Sequence, residues 1–164
     1  MEERLMDPGV AAFVETALRV ALGLRFLSSG VSTIRRWPHA TETAQVLFPA
    51  GNYFFGAVAV ALMVLGGAGL ALGFQTEISA LMAIIFLLPT FPLQRVWIRT
   101  LPEKMERVRS ALGEEAVKDE LRFLGRHAIH GHESAWKDNL ILLLAALLFV
   151  VRGSIAFGLD NLLR

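Results

Sequence analysis

The chain has 164 residues, of which 54% are hydrophobic and 19% charged, with a formal net charge of +1. A soluble domain carries about 25% charged residues, and the mean hydropathy of +0.52 points instead to a membrane protein. Cysteine is absent, which excludes disulfides, Cys-ligated metals, iron–sulfur clusters and thiol catalysis; the near-balanced charge leaves no nucleic-acid footprint.

A hydrocarbon core of ~30 Å requires ~20 residues of helix. Four apolar segments meet or approach that length: Val10–Ile34, Tyr53–Phe74, Ile78–Ile98 and Leu140–Leu159. They predict an all-α fold, an integral membrane four-helix bundle that forms one domain over residues 1–164. Its helices are expected near 10–34, 53–74, 78–98 and 139–159, with an amphipathic interfacial helical segment near 101–128. The localisation that follows is the cell membrane, as a multi-pass protein in a lipid bilayer. Glu2, Glu3 and Asp7 precede the first segment where a signal peptide would be basic, so no cleavable leader is expected.

The second segment is bounded by Pro49-Ala-Gly51 and by Gly73-Phe-Gln-Thr, so the second and third helices should form a tight hairpin. Pro89 and Pro92 remove backbone donors and predict a kink or an early end in the third helix. Between the third and fourth helices, Leu101, Met105, Val108 and Leu112 share one helical face. Gly113 breaks the register, and Val117, Leu121, Leu124 and Ala128 begin a second face. Lys137-Asp138-Asn139 reads as a polar entry to the fourth helix.

Lys and Arg fall unevenly. The N-terminus, the 2–3 turn and the C-terminus hold Arg4 and Arg164, whereas Arg35, Arg36 and nine cations of the 3–4 segment, with all three tryptophans, share the other side. The positive-inside rule places that side in the cytoplasm and both termini outside.

Charges inside the apolar stretches mark the candidate site. A charged side chain at a membrane helix centre costs about +2.5 to +3.5 kcal/mol on the translocon scale, so it faces a partner, a cavity or a ligand. Glu15 and Arg19 are i,i+4 on the first helix and can pair. Arg152 lies in the last apolar stretch, and Asn139, Ala146, Gly153 and Asp160 repeat every seven residues. Helix rise then brings Glu15, Arg19, Arg152 and Asp160 into one polar cluster near the termini. Two readings of the cluster stand: an internal ion-pair network that fixes helix packing, or a site for an anion or a quinone head group. One carboxylate against two arginines leaves a cation that calls for an anion. Glu15, Arg19 and Arg152 are therefore the candidate catalytic residues. Arg25 lies on another face and is expected to snorkel.

His127, His130 and His132 are weak metal candidates: three imidazoles are close in sequence, but their spacing matches no strong motif and Gly131 is expected to interrupt a helix. No metal is expected. Gly66, Gly67, Gly69 and Gly73 form a helix-packing signature, not a phosphate loop.

These residues also carry a resemblance. Arg19, Gly23, Phe26 and Gly30 resemble the opening signature of the DoxX/DoxD family. The glycine-rich second helix leading to LGFQTEISAL and the ending WKDNLILLLAALLFVVRGSIAFGLD (Trp136–Asp160) are similar to the family's second and last helices. The resemblance leans toward the DoxD branch. It implies the small membrane subunit of a thiosulfate:quinone oxidoreductase, an enzyme oxidising thiosulfate to tetrathionate and passing the electrons to quinone. It further implies a quinone as cofactor, a second subunit as partner, and Arg19, Asp138, Asn139 and Asp160 as ligand-binding positions.

Three functions are carried forward: this oxidoreductase subunit, a non-catalytic membrane anchor or assembly subunit of a redox complex, and a small transporter or channel. The transporter is weakened because the first two helices do not resemble the last two as inverted repeats would. The glycine stripes are also compatible with a homo-oligomer.

Overall fold

The computed structural model of the chain describes residues 7–154 and 156–163, the Ala116 side chain excepted. Glu2, Glu3, Arg4 and Arg164, used above for the leader and charge-bias arguments, lie outside the described residues. All regular structure among the described residues is helical: α1 (Pro8–Arg35), α2 (Trp37–Leu47), α3 (Asn52–Leu72), α4 (Thr76–Leu87), α5 (Thr90–Ala111), α6 (Glu115–Arg152) and α7 (Leu159–Leu162). Among the described residues, three stretches are long and apolar enough to cross a bilayer: Asn52–Leu72, Thr76–Ala111 and Val117–Arg152.

The helix ends follow local chemistry. Asp7 caps α1 by accepting from the Gly9 amide at 2.8 Å, and Pro8 occupies the first turn, where a missing donor costs nothing. At the end of α3, Gly73 takes φ +64, the Gly73 amide reaches the Leu70 carbonyl and the Phe74 amide reaches the Gly69 carbonyl at 2.9 Å. This is a Schellman ending, in which a residue without Cβ takes the left-handed position.

Several elements depart from the sequence expectation. Trp37–Leu47 is a helix that the apolar runs did not mark, although Pro38 in its first turn is a start signal. The third apolar stretch ends at Leu87 and restarts at Thr90, so Pro89 sits at the interruption and Pro92 is tolerated in the first turn of α5. The break near Gly113 is present between Ala111 and Glu115. Neither Gly131 nor Lys137-Asp138-Asn139 starts a new element, because α6 runs unbroken for 38 residues. Nor does the last helix reach Leu159: it ends at Arg152, where Gly153 turns left-handed at φ +63.

The chain divides into two compact units. One runs to Leu88 and resumes at Leu142. Its buried cluster draws Leu22 and Phe26 from α1, Val60, Met63 and Leu70 from α3, Ala80, Ala83 and Leu87 from α4, and Ala146 and Phe149 from α6. The α1–α3 approach is set by two glycines facing each other: a Cβ on Gly67 would stand 2.5 Å from the Leu27 nitrogen, and one on Gly23 would stand 2.7 Å from the Gly67 carbonyl oxygen. Backbone-to-backbone packing of this kind requires the missing side chains.

The other unit, Pro89–Ile141, is an antiparallel helical hairpin. Its register runs from Asn139 on Thr90 through His132 on Gln94 to Gly125 on Met105. Its inner face on α6 is Leu121, Gly125 and Ile129, while Val117, Leu124 and Ala128, expected to share a face with Leu121, are exposed.

Candidate functional site

Arg19 is the largest fully buried side chain among the described residues, with no exposure to solvent. The end of α3 explains how it is accommodated. The last turn of a helix leaves carbonyls without intrahelical donors and carries partial negative charge. Arg19 Nη1 donates to the Leu70 carbonyl at 2.6 Å, with Ala71 O at 3.5 Å, and Nη2 donates to the Phe157 carbonyl at 3.0 Å. One guanidinium thus ties the end of α3 to the segment that follows α6. Gly73 stands directly beside it, since a Cβ there would lie 2.5 Å from Nη1 and 2.6 Å from Gly158 Cα.

Glu15 is the ionic partner. Its Oε1 stands 3.9 Å from Arg19 Nε, with the carboxylate 9% exposed. That separation is an ion pair and not a hydrogen bond. Glu15 Oε1 and Arg19 Nε are both buried without a hydrogen-bond partner among the described residues. The Thr16 hydroxyl, next to Glu15, has the Ala12 carbonyl at 2.8 Å and the Ala156 carbonyl at 3.2 Å within reach of its one proton. The α1 face carrying Glu15, Thr16 and Arg19 therefore lies against the terminal segment, with Arg19 holding the Phe157 carbonyl.

Asp160 completes the arrangement from the other direction. Its Oδ1 accepts from the Gln75 amide at 2.7 Å, and its Oδ2 from the Thr76 amide at 2.9 Å and the Thr76 hydroxyl at 2.8 Å. The Asp160 amide donates to the Gly73 carbonyl at 2.8 Å. Gln75, at the N-cap of α4, makes no side-chain cap and sits at φ +43. Asp160 supplies the missing acceptor, and its negative charge suits a helix N-terminus. The Ser154 hydroxyl donates to Asn161 Oδ1 at 3.1 Å, with the Ala156 carbonyl at 3.3 Å as its alternative acceptor, folding the terminal segment back on itself.

Arg152 does not join this cluster. Helix rise placed it beside Glu15 in a helix expected to run on to Leu159, but the helix ends at Arg152, where Gly153 turns left-handed. Arg152 is exposed, and no carboxylate pairs with it among the described residues. The buried site therefore holds one arginine and one glutamate, without the surplus cation that the sequence suggested. Asp138 and Asn139 belong to the other unit: Asp138 is exposed, and Asn139 donates to the Thr90 hydroxyl at 2.9 Å. Arg25 is exposed and donates to the Ser29 hydroxyl.

The histidines separate around α6. His127 Nδ1 lies 2.9 Å from the Phe123 carbonyl, His130 Nδ1 lies 3.3 Å from Glu133, and His132 Nδ1 lies 2.7 Å from Gln94 while its ring lies tilted against Trp97. Offsets of five and two residues turn His132 away from the face of His127 and His130, and no three His, Asp or Glu side chains among the described residues are placed to hold a metal ion.

Sequence reasoning missed Gly73, Thr76 and Gly158 as parts of the site, although Gly73 was noted for helix packing. The DoxX family model matches residues 14–95, half of the chain, spanning Glu15, Arg19, Gly73 and Thr76. The chain belongs to the DoxX family. It is a multi-pass membrane protein, with the matched region and the apolar helices in agreement. No curated protein and no solved structure matches the chain. The DoxX match ends in the first turns of α5, short of most of the α5–α6 hairpin and of the terminal segment that Arg19 and Asp160 organise.

Proposed function

We propose that this DoxX protein is the membrane anchor and assembly subunit of a quinone-linked redox complex of the DoxD-like, thiosulfate-oxidising kind, in the cell membrane. The observation that carries the reading is the commitment of Arg19: both Nη groups are spent on backbone carbonyls in a fully buried position. A buried arginine tied to two backbone segments in this way fixes the fold, and its full burial closes it to a sulfur anion arriving from solvent. In this reading α1, 28 residues long, crosses the bilayer as well, because it shares the buried cluster with the apolar segments of α3, α4 and α6. The result is a four-helix membrane bundle, with the α5–α6 hairpin as the charged segment.

The reaction assigned to the complex joins two thiosulfates through a new S–S bond into tetrathionate, releasing two electrons; quinone takes them with two protons to become quinol. The test uses the intact assembly purified from membranes in mild detergent. After this chain is stripped, the remaining subunits should keep thiosulfate oxidation with a soluble electron acceptor. Loss of that oxidation together with this chain overturns the reading.

A second reading keeps the chain at the chemistry. It is favoured by the Glu15 Oε1 and Arg19 Nε atoms, a buried acceptor and donor without hydrogen-bond partners, which suit a quinone oxygen and its proton. It requires bound quinone to co-purify with the chain and to be lost in Glu15→Gln.

A further inference from the structure

Glu15 Oε1 and Arg19 Nε are buried side-chain atoms without a hydrogen-bond partner among the described residues. One is an acceptor, the other a donor, and 3.9 Å separates them. A single oxygen placed ~2.8 Å from each spans that gap. The pair restricts what the oxygen can belong to. A carbonyl accepts from Nε–H and leaves Oε1 alone. An anion suits Arg19 and is repelled by Glu15, and an ammonium suits Glu15 and is repelled by Arg19. A hydroxyl accepts from Nε–H through a lone pair and donates its own proton to Oε1. Each unmet buried atom carries its full desolvation cost, and a hydroxyl removes that cost at both.

The turn Ala156–Gly158 lies against the pair, and its two ends are fixed. Before it, α6 stops at Arg152 and Gly153 turns left-handed at φ +63. After it, Asp160 accepts from the Gln75 and Thr76 amides. Between these ends the turn meets α1 at two carbonyls: Ala156 O is the second acceptor of the Thr16 hydroxyl, and Phe157 O accepts from Arg19 Nη2 at 3.0 Å. Phe157 takes φ +50, a left-handed conformation that a bulky residue avoids and that persists only where the surroundings hold it. Its ring is exposed, as are Val14 and Leu18, the chain neighbours of Glu15 and Arg19. A short segment strained at its tip and held by few bonds belongs to the low-stability end of a fold and opens locally. Opening breaks the Arg19–Phe157 bond and keeps Nη1 on the Leu70 carbonyl, so the guanidinium stays in place.

We propose that Ala156–Gly158 is a flap over a binding site for one hydroxyl group, carried by an apolar alcohol or phenol. Arg19 Nε donates to the hydroxyl oxygen, and Glu15 Oε1 accepts its hydrogen bond. The apolar body follows from Val14, Leu18 and Phe157 beside the pair. The inference rests on the second reading, in which Glu15 and Arg19 meet a ligand, and names that ligand's polar group; it is independent of the anchor role.

The test uses the full chain in mild detergent with two matched probes, para-pentylphenol and its methyl ether, which lacks the hydroxyl proton. With rising concentration the phenol should raise the melting temperature above that in the ether, as binding to the native state does. Glu15→Gln should weaken phenol binding about tenfold, because a neutral acceptor replaces a charged one; circular dichroism checks that the variant is folded. The chain has no cysteine, so Thr16→Cys with Ala156→Cys yields a single disulfide that pins the flap shut, verified by mass spectrometry. The oxidised variant should lose phenol binding and the reduced variant regain it. Equal effects of phenol and ether, or phenol binding unchanged in Glu15→Gln, overturn the hydroxyl site. Equal binding by the oxidised and reduced variants, or a disulfide that does not form, overturns the flap. A quinone that binds at Glu15 where the phenol does not keeps the second reading and overturns this one.

Discussion

Asp160 caps Thr76 across 84 residues of sequence, accepting both its amide and its hydroxyl. The start of α4 has no side-chain cap of its own, so the terminal segment provides one. The end of α3, the start of α4 and the last residues of the chain are thereby one hydrogen-bonded unit around Arg19.

Asp160→Ala removes an acceptor of three hydrogen bonds and should cost about 1–2 kcal/mol, the usual scale of a lost N-cap. Asp160→Asn should recover part of it, since one oxygen remains. Thermal unfolding in detergent reads the loss, and amide exchange at Gln75 and Thr76 should accelerate in the alanine variant. Unchanged exchange there would show that the cap is not holding α4.

Gly73→Ala places a Cβ at positive φ and against the Arg19 guanidinium. The left-handed conformation alone costs about 1–2 kcal/mol, and the contact adds to it. Gly113→Ala is the control, because a Cβ there meets nothing within 4 Å. The first variant should lose stability by more than the second, by at least the backbone cost; equal melting temperatures would contradict the geometry.

Gly67→Ala and Gly23→Ala act on the same α1–α3 contact. Each should cost roughly 1–3 kcal/mol as overpacking. The double variant should cost less than the two together, because one separation of the helices relieves both clashes. Additive losses would mean that the two glycines are not packed on each other.

Zinc should leave the melting temperature unchanged, since His127, His130 and His132 have separate partners around α6. A concentration-dependent rise, the signature of binding to the native state, that disappears in His127→Ala and His130→Ala would contradict this.

How much of this could be read in advance differs by element. Apolar runs located α1, α3, α4 and the end of α6, because burial and lipid exposure both demand such runs. The interruption at Pro89 and the break near Gly113 were legible from backbone chemistry. The continuity of α6 was not: Gly131 and Asp138 each weaken a helix only modestly, and the ladder on either side, with α5 packed along it, continues through them. The site was half legible. Intramembrane charge drew attention to Glu15 and Arg19, but the partners of Arg19 are backbone carbonyls, which no side-chain pattern reveals. Arg152 was placed by helix rise in a helix expected to reach Leu159, whereas the helix ends at Arg152 itself and leaves that side chain exposed.

The central claim is that Arg19 holds the fold together. Its most direct test is the thermal unfolding of the Arg19→Leu chain in detergent, beside the unsubstituted protein. Removing the guanidinium leaves Glu15 buried without its counter-charge and strips donors from the Leu70 and Phe157 carbonyls, so stability should fall by about 3–5 kcal/mol, with faster amide exchange across residues 70–76. A variant that melts at the unsubstituted temperature while the assembly loses quinone reduction would contradict the claim and move Arg19 to the chemistry.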